Sequence, residues 1–222
     1  MRLYPSLKDV KPKRTYRSPH REKQAAATRT AVLDAAEQLF RELGWEPTTI
    51  AAIASKAGVS AETVYARFGN KKSIVHELIV RAMRGNQPDV PMMKQSVRPK
   101  FAGMKTAGEI IEAFAADIAV VLGRVAPILA VIRTAAESDA EMGALYQELH
   151  RARRRNLAIV AAALQQTGTM RPGLDIETAT ETIWSIVSPE LWLLRSGQLR
   201  SSPEANREWI RTSLGRLLVD EG

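Results

Sequence analysis

The chain has 222 residues, 45% of them apolar and 25% charged, enough to bury a substantial core in one or two domains. It has no cysteine, three scattered histidines and a formal charge of +8, which exclude a disulfide frame, a thiolate nucleophile and a Cys-ligated metal. His20, His76 and His150 stand too far apart for a metal cluster or a hydrolytic triad. Val80 occupies the place where a zinc-protease helix beginning at His76-Glu77 needs its second histidine. No enzyme, metal or cofactor is therefore expected. With charge interrupting every longer apolar run and nothing resembling a signal peptide, no membrane segment is expected either, and the compartment reads as cytoplasmic.

Residues 1–25 carry eight Lys or Arg against Asp9 and Glu22, with Pro5, Pro12 and Pro19 among them and no apolar periodicity. This composition predicts a disordered basic arm, either a solvated tail that contributes only solubility or an arm that follows a nucleic-acid backbone or enters a minor groove. A first helix is expected over Thr28–Leu43, where Val32, Leu33, Ala36, Leu39, Phe40 and Leu43 make one apolar stripe. Thr49 caps a short helix Ile50–Lys56, Gly58 takes the left-handed turn, and Ser60 caps Ala61–Phe68. In that second short helix Val64 and Phe68 face inward, while Ala61, Glu62, Thr63, Tyr65 and Arg67 face outward. Two helices about a glycine turn, the second with small or polar outward positions, form a helix-turn-helix whose second helix fits a DNA major groove. Asn70 caps a further helix with Lys71 and Lys72 in its first turn, where the helix dipole disfavours cations and a phosphate would favour them.

The segment Gly44–Leu78 resembles the DNA-binding domain of the TetR family of bacterial transcriptional regulators. Thr49, Ile53-Ala54, Ala57-Gly58-Val59-Ser60, Thr63, Tyr65, Phe68 and Lys71 match in order and without gaps. Ala52 stands where the family often has an acidic residue, Arg67 where it often has His, and Lys72 where an acidic residue is usual. The resemblance implies phosphate contacts from Thr49, Tyr65 and Lys71. It places Ser60, Ala61, Glu62, Thr63, Arg67 and Lys72 on or beside the DNA face.

Residues 87–107, with Pro88, Pro91, Pro99 and Gly103, read as a linker between a DNA-binding domain (26–86) and a helical domain (108–222). Beyond Gly108 only helical patterns occur, so the fold class is all-α. Ile110–Leu122 marks one helix, and Pro127 is expected to open another ending near Glu137. Asp139 caps a long helix stopped by Gly168. Asp175 caps a helix running to Gly197 and bent at Pro189. Ser202-Pro203-Glu204 starts the last. The run His150–Arg155 reads as a solvated face, with a second nucleic-acid or acidic-ligand site as its functional alternative. Large apolar residues on the last two predicted helices, Trp192, Trp209, Leu214 and Leu217 among them, are expected to form a homodimer face, as the resemblance implies. It also implies an effector pocket, for which Phe114, Ile118, Met142, Tyr146 and Trp184 are the candidates. The expected protein is a dimeric repressor of a palindromic double-stranded operator, released by a small apolar or aromatic effector. The alternative is a non-switching nucleic-acid binder whose C-terminal half only dimerises.

Overall fold

A computed structural model describes residues 19–85, 101 and 103–220. Residues 1–18 of the basic arm, Asn86 at the end of the expected DNA-binding domain, 87–100 and 102 of the linker, and 221–222 lie outside the described residues. Nine helices are bounded among those described: α1 (Pro19–Leu43), α2 (Ile50–Ala57), α3 (Ala61–Phe68), α4 (Lys71–Arg84), α5 (Ala107–Ala136), α6 (Ala140–Gln166), α7 (Ile176–Ile186), α8 (Pro189–Gly197) and α9 (Pro203–Leu218). The only β pairing among the described residues is an isolated bridge between Met170 and Val219, which ties the end of α9 to the turn after α6.

α1 begins at Pro19, nine residues before the expected Thr28. A proline in a first turn loses no intrahelical bond, and the segment between it and the apolar stripe is rich in alanine, the best helix former. The two larger corrections also concern prolines. Pro127 does not open a helix but lies inside the 30-residue α5. Val125 and Ala126 before it offer no capping oxygen, while Val125, Ala126, Ile128, Leu129 and Ile132 are all buried. Packing on both sides of the proline outweighs the one backbone bond it removes. Pro189 does not bend a helix but starts one. The chain breaks at Val187-Ser188, and Ser188 accepts a hydrogen bond from the Leu191 amide at 3.1 Å.

Two apolar cores meet along α5. One joins α1–α4 to Val125, Ile128, Leu129, Ile132 and Ala135 of α5 and to Met142 of α6. The other gathers Ile110, Phe114, Leu122, Leu157, Ile183, Trp192, Ile210 and Leu214 from α5–α9. The N-terminal helices thus share a core with the second half of the chain. By length and hydropathy α5 alone among the described residues would cross a membrane, and burial in two cores accounts for that apolarity.

Candidate nucleic-acid interface

The helix-turn-helix is built by local capping. Thr49 Oγ1 accepts from the Ala52 amide at 3.1 Å, closing the start of α2. Gly58 stops α2 in the left-handed region (φ 68°, ψ 32°), where an alanine would be strained. Its amide bonds Ser55 O and the Val59 amide bonds Ala54 O at 3.0 Å, which turns the chain. Ser60 Oγ then accepts from the Thr63 amide at 3.2 Å and lies 3.1 Å from Thr63 Oγ1. Isolated, an eight-residue helix is unstable in water. α3 is held through its two buried residues, Val64 and Phe68.

On the other face of α3, Tyr65 is 56% exposed, Glu62, Ala66 and Arg67 are exposed, and Ala61 and Thr63 are half-buried. Ala66 belongs to this face beside the residues expected from the sequence, and a helical wheel anchored on Val64 and Phe68 would have found it. The side chains at Ala61, Thr63 and Ala66 are small, so little stands between solvent and the backbone on this side of α3. Hydrogen bonds from its own backbone amide and from Ser60 hold the Glu62 carboxyl below its ordinary pKa. Glu62 thereby serves the α3 N-terminus.

The three cations near this face all have protein partners. Arg67 Nη1 donates to Ala25 O of α1 at 2.7 Å. Lys71 Nζ donates to Trp45 O at 2.7 Å and sits 4.0 Å from the centroid of that indole ring, and burial pulls its pKa down. Lys72 Nζ meets Glu141 at 2.7 Å and Asp139 at 3.2 Å, which raises its pKa and ties α4 to the start of α6. Ser138 Oγ adds a bond to Glu46 at 2.9 Å across the same seam. The predicted phosphate ligands Lys71 and Lys72 are therefore positioned as braces. Arg81 clamps α4 to α1 through Asp34 at 2.5 Å and Glu37 at 2.6 Å.

The five effector candidates are divided. Phe114 is buried in the second core with half-buried Ile118 packed on it, whereas Met142 is fully buried in the first. Tyr146 and Trp184 are brought together, with His150 between their rings. The sequence reading of His150–Arg155 as solvated holds for Arg151, Arg154 and Arg155 but not for His150 and Arg153, which are half-buried. The missed signal was spacing, because Met142, Tyr146, His150, Arg153 and Leu157 follow one face of α6. Of the dimer candidates, Leu214 is fully buried and Trp192 nearly so within the chain's own second core. Trp209 is half-buried beneath the Arg195 guanidinium, 4.2 Å from its ring. Leu217 is 47% exposed and Leu194 51% exposed, and these remain available to a partner. Small clefts between α1, α4 and α5 and beside Trp192 and Trp209 have room for at most about one water molecule. No group of three or more His, Asp or Glu that could hold a metal occurs among the described residues.

A family model described as bacterial regulatory proteins, tetR family, matches residues 32–78. The HTH-type transcriptional repressor BepR of Brucella suis biovar 1 (strain 1330) is 29% identical over 180 residues, which span 77% of this chain and 82% of that protein. The fold is shared with NalD, the secondary repressor of the MexAB-OprM multidrug efflux pump in Pseudomonas aeruginosa (TM-score 0.65, 20% identity, 89% of this chain and 100% of that one). It is also shared with SmeT, the repressor of the Stenotrophomonas maltophilia multidrug efflux pump SmeDEF (TM-score 0.63, 19% identity, 88% and 94%).

Proposed function

We propose that this chain, whose residues 32–78 match the tetR family model, is a member of that family: a cytoplasmic, dimeric repressor that reads a palindromic operator and responds to a small effector. The observation that carries this reading is the geometry of α3. Its two anchoring side chains are buried, its first turn is capped by Ser60, Tyr65 and Ala66 are exposed on the opposite face, and Thr63 and Ala61 are half-buried beside them. Such a helix offers bases a close backbone and offers phosphates a phenol and a helix N-terminus. Two of them are needed to span half-sites about one helical turn apart, which a two-fold dimer supplies.

Response to an effector has a structural route. α4 is joined to the effector-side helices by the shared core, by Lys72 with Asp139 and Glu141, and by Arg124 Nε, which donates to Ala82 O at 2.9 Å. A ligand that moves α6 against α5 therefore moves α4 and the reading helix with it. For release, the ligand must bind the non-DNA-binding arrangement more tightly. Selection from a randomised DNA duplex tests the operator claim. Enrichment of a two-fold symmetric sequence is expected, and recovery of unrelated sequences at equal affinity would refute it.

A further inference from the structure

The inward face of α6 is apolar at both ends, with Met142 at one and Leu157, Val160 and Leu164 at the other. Between them the same face carries Tyr146, His150 and Arg153, which meet Trp184 of α7 and Glu190 of α8. The His150 ring lies edge-on to Tyr146, with centroids 4.3 Å apart, and 5.7 Å from Trp184. The Arg153 guanidinium stands 4.8 Å from the Trp184 ring, and its Nη2 donates to Trp184 O. The Tyr146 hydroxyl donates to Glu190 Oε1 at 3.3 Å.

What Arg153 lacks is an acceptor for its two remaining N–H groups. Arg153 Nε and Nη1 and both His150 ring nitrogens are buried and make no hydrogen bond among the described residues. Burial, with the nearby Arg153 charge, pushes the His150 pKa down and keeps the ring neutral, with one donor and one acceptor. Burial also lowers the Arg153 pKa to about 10, which leaves it charged at neutral pH. Three charged groups act on Tyr146: the Arg133 and Arg153 guanidiniums and the single Glu190 carboxylate. That carboxylate hydrogen-bonds the phenol rather than Arg153. A buried guanidinium with unpaired N–H groups is costly, and an aliphatic residue at 153 would simply continue the stripe. Arg153 Nη2 serves the Trp184 carbonyl near the end of α7, which leaves Nε and Nη1 for a further acceptor.

We propose that this corner binds a small aromatic carboxylate, the carboxylate accepting from Arg153 and the apolar body lying against Tyr146 and Trp184. The inference rests on the reading of the C-terminal helices as an effector-binding region, and it assigns the effector its chemical class. A guanidinium flanked by aromatic rings suits one planar carboxylate better than a phosphate, which needs more cations to offset its charge. Arg153 lies 14 residues along α6 from Asp139, about 21 Å at 1.5 Å per residue, so one rigid helix links this corner to Lys72 of α4.

The test is calorimetric titration of the full chain with 3-phenylpropanoate and with its uncharged isostere 3-phenylpropanamide. The acid is expected to bind at least about tenfold more tightly than the amide. Arg153→Gln should reduce the acid to the amide's affinity, and Trp184→Leu should weaken both. Glu190→Gln removes the competing negative charge without touching the guanidinium, so it should tighten the acid and leave the amide unchanged, even if Arg153→Gln fails to fold. Equal affinity of acid and amide, an acid preference that survives Arg153→Gln, or no binding of the acid up to about 10 mM would each overturn the proposal. Operator binding measured on the same samples separates the two claims. Operator binding without acid binding overturns the ligand assignment alone, whereas acid binding without operator binding supports it and overturns the regulator reading.

Discussion

Phe68 and Tyr65 stand three residues apart on α3 and should fail in different ways when altered. Phe68 is 6% exposed and, with Val64, anchors an eight-residue helix that has no stability of its own. Truncation to alanine removes most of a buried aromatic side chain and should cost about 3–5 kcal/mol. That is a large share of the roughly 5–15 kcal/mol that holds a domain together. The loss falls on the reading helix, so operator affinity should drop along with the urea midpoint followed by circular dichroism. Tyr65 is 56% exposed, and Tyr65→Phe should change stability by less than about 0.5 kcal/mol. It should nonetheless weaken binding to operator and random DNA alike, by about 0.5–1.5 kcal/mol for one hydroxyl to phosphate. Fluorescence anisotropy with both DNAs supplies the second measurement. A Phe68→Ala protein with normal stability and operator affinity would refute the anchoring argument. A Tyr65→Phe protein that loses stability but not DNA affinity would refute the outward assignment.

Thr63→Ala should relax preference at one base pair by about 1–3 kcal/mol while leaving the salt dependence of binding unchanged, as binding to a set of single-base operator variants would reveal. Gly58→Ala meets no atom within 4 Å, so its cost should be conformational alone, about 1–2 kcal/mol in a urea titration. A larger loss would mean a clash that the structure lacks. Lys71→Met should cost about 1–2 kcal/mol of stability, because it releases Trp45 from a cation–π contact and a hydrogen bond. A log–log salt slope reduced by about one would instead return Lys71 to a phosphate. His150 has its folded-state pKa below the ordinary value of about 6.5, so as pH falls the unfolded chain takes up this proton first. Stability from this group is lost from about pH 6.5 down to the folded-state value, and His150→Phe should shrink the drop in melting temperature between pH 7.5 and 5.5. Equal drops for both proteins would contradict the assignment.

The helix-turn-helix was legible because its determinants are local. Thr49, Ser60 and Asn70 each cap the helix that follows within three residues, and Gly58 sits where the chain must turn left-handed. The sequence erred where tertiary packing decides. Pro127 carries a start signal, but buried side chains on both sides of it continue α5. At Pro189 the deciding signal was present and local: Ser188-Pro189-Glu190 repeats the Ser202-Pro203-Glu204 pattern that begins α9. The roles of Lys71 and Lys72 were not legible, because Trp45, Asp139 and Glu141 reach them from 26, 67 and 69 residues away. Trp192 and Leu214 have the composition of an interface, yet the chain buries them against itself.

The central claim, that α3 of a dimer reads a bounded operator and yields it to an effector, is tested most directly by footprinting. The DNA flanking the chain's own gene is probed with purified protein, with and without an added aromatic carboxylate. The account predicts one protected, two-fold symmetric site whose half-sites lie about one helical turn apart, with protection lost as the acid is added. Continuous protection that fades uniformly with salt and ignores the acid would contradict it.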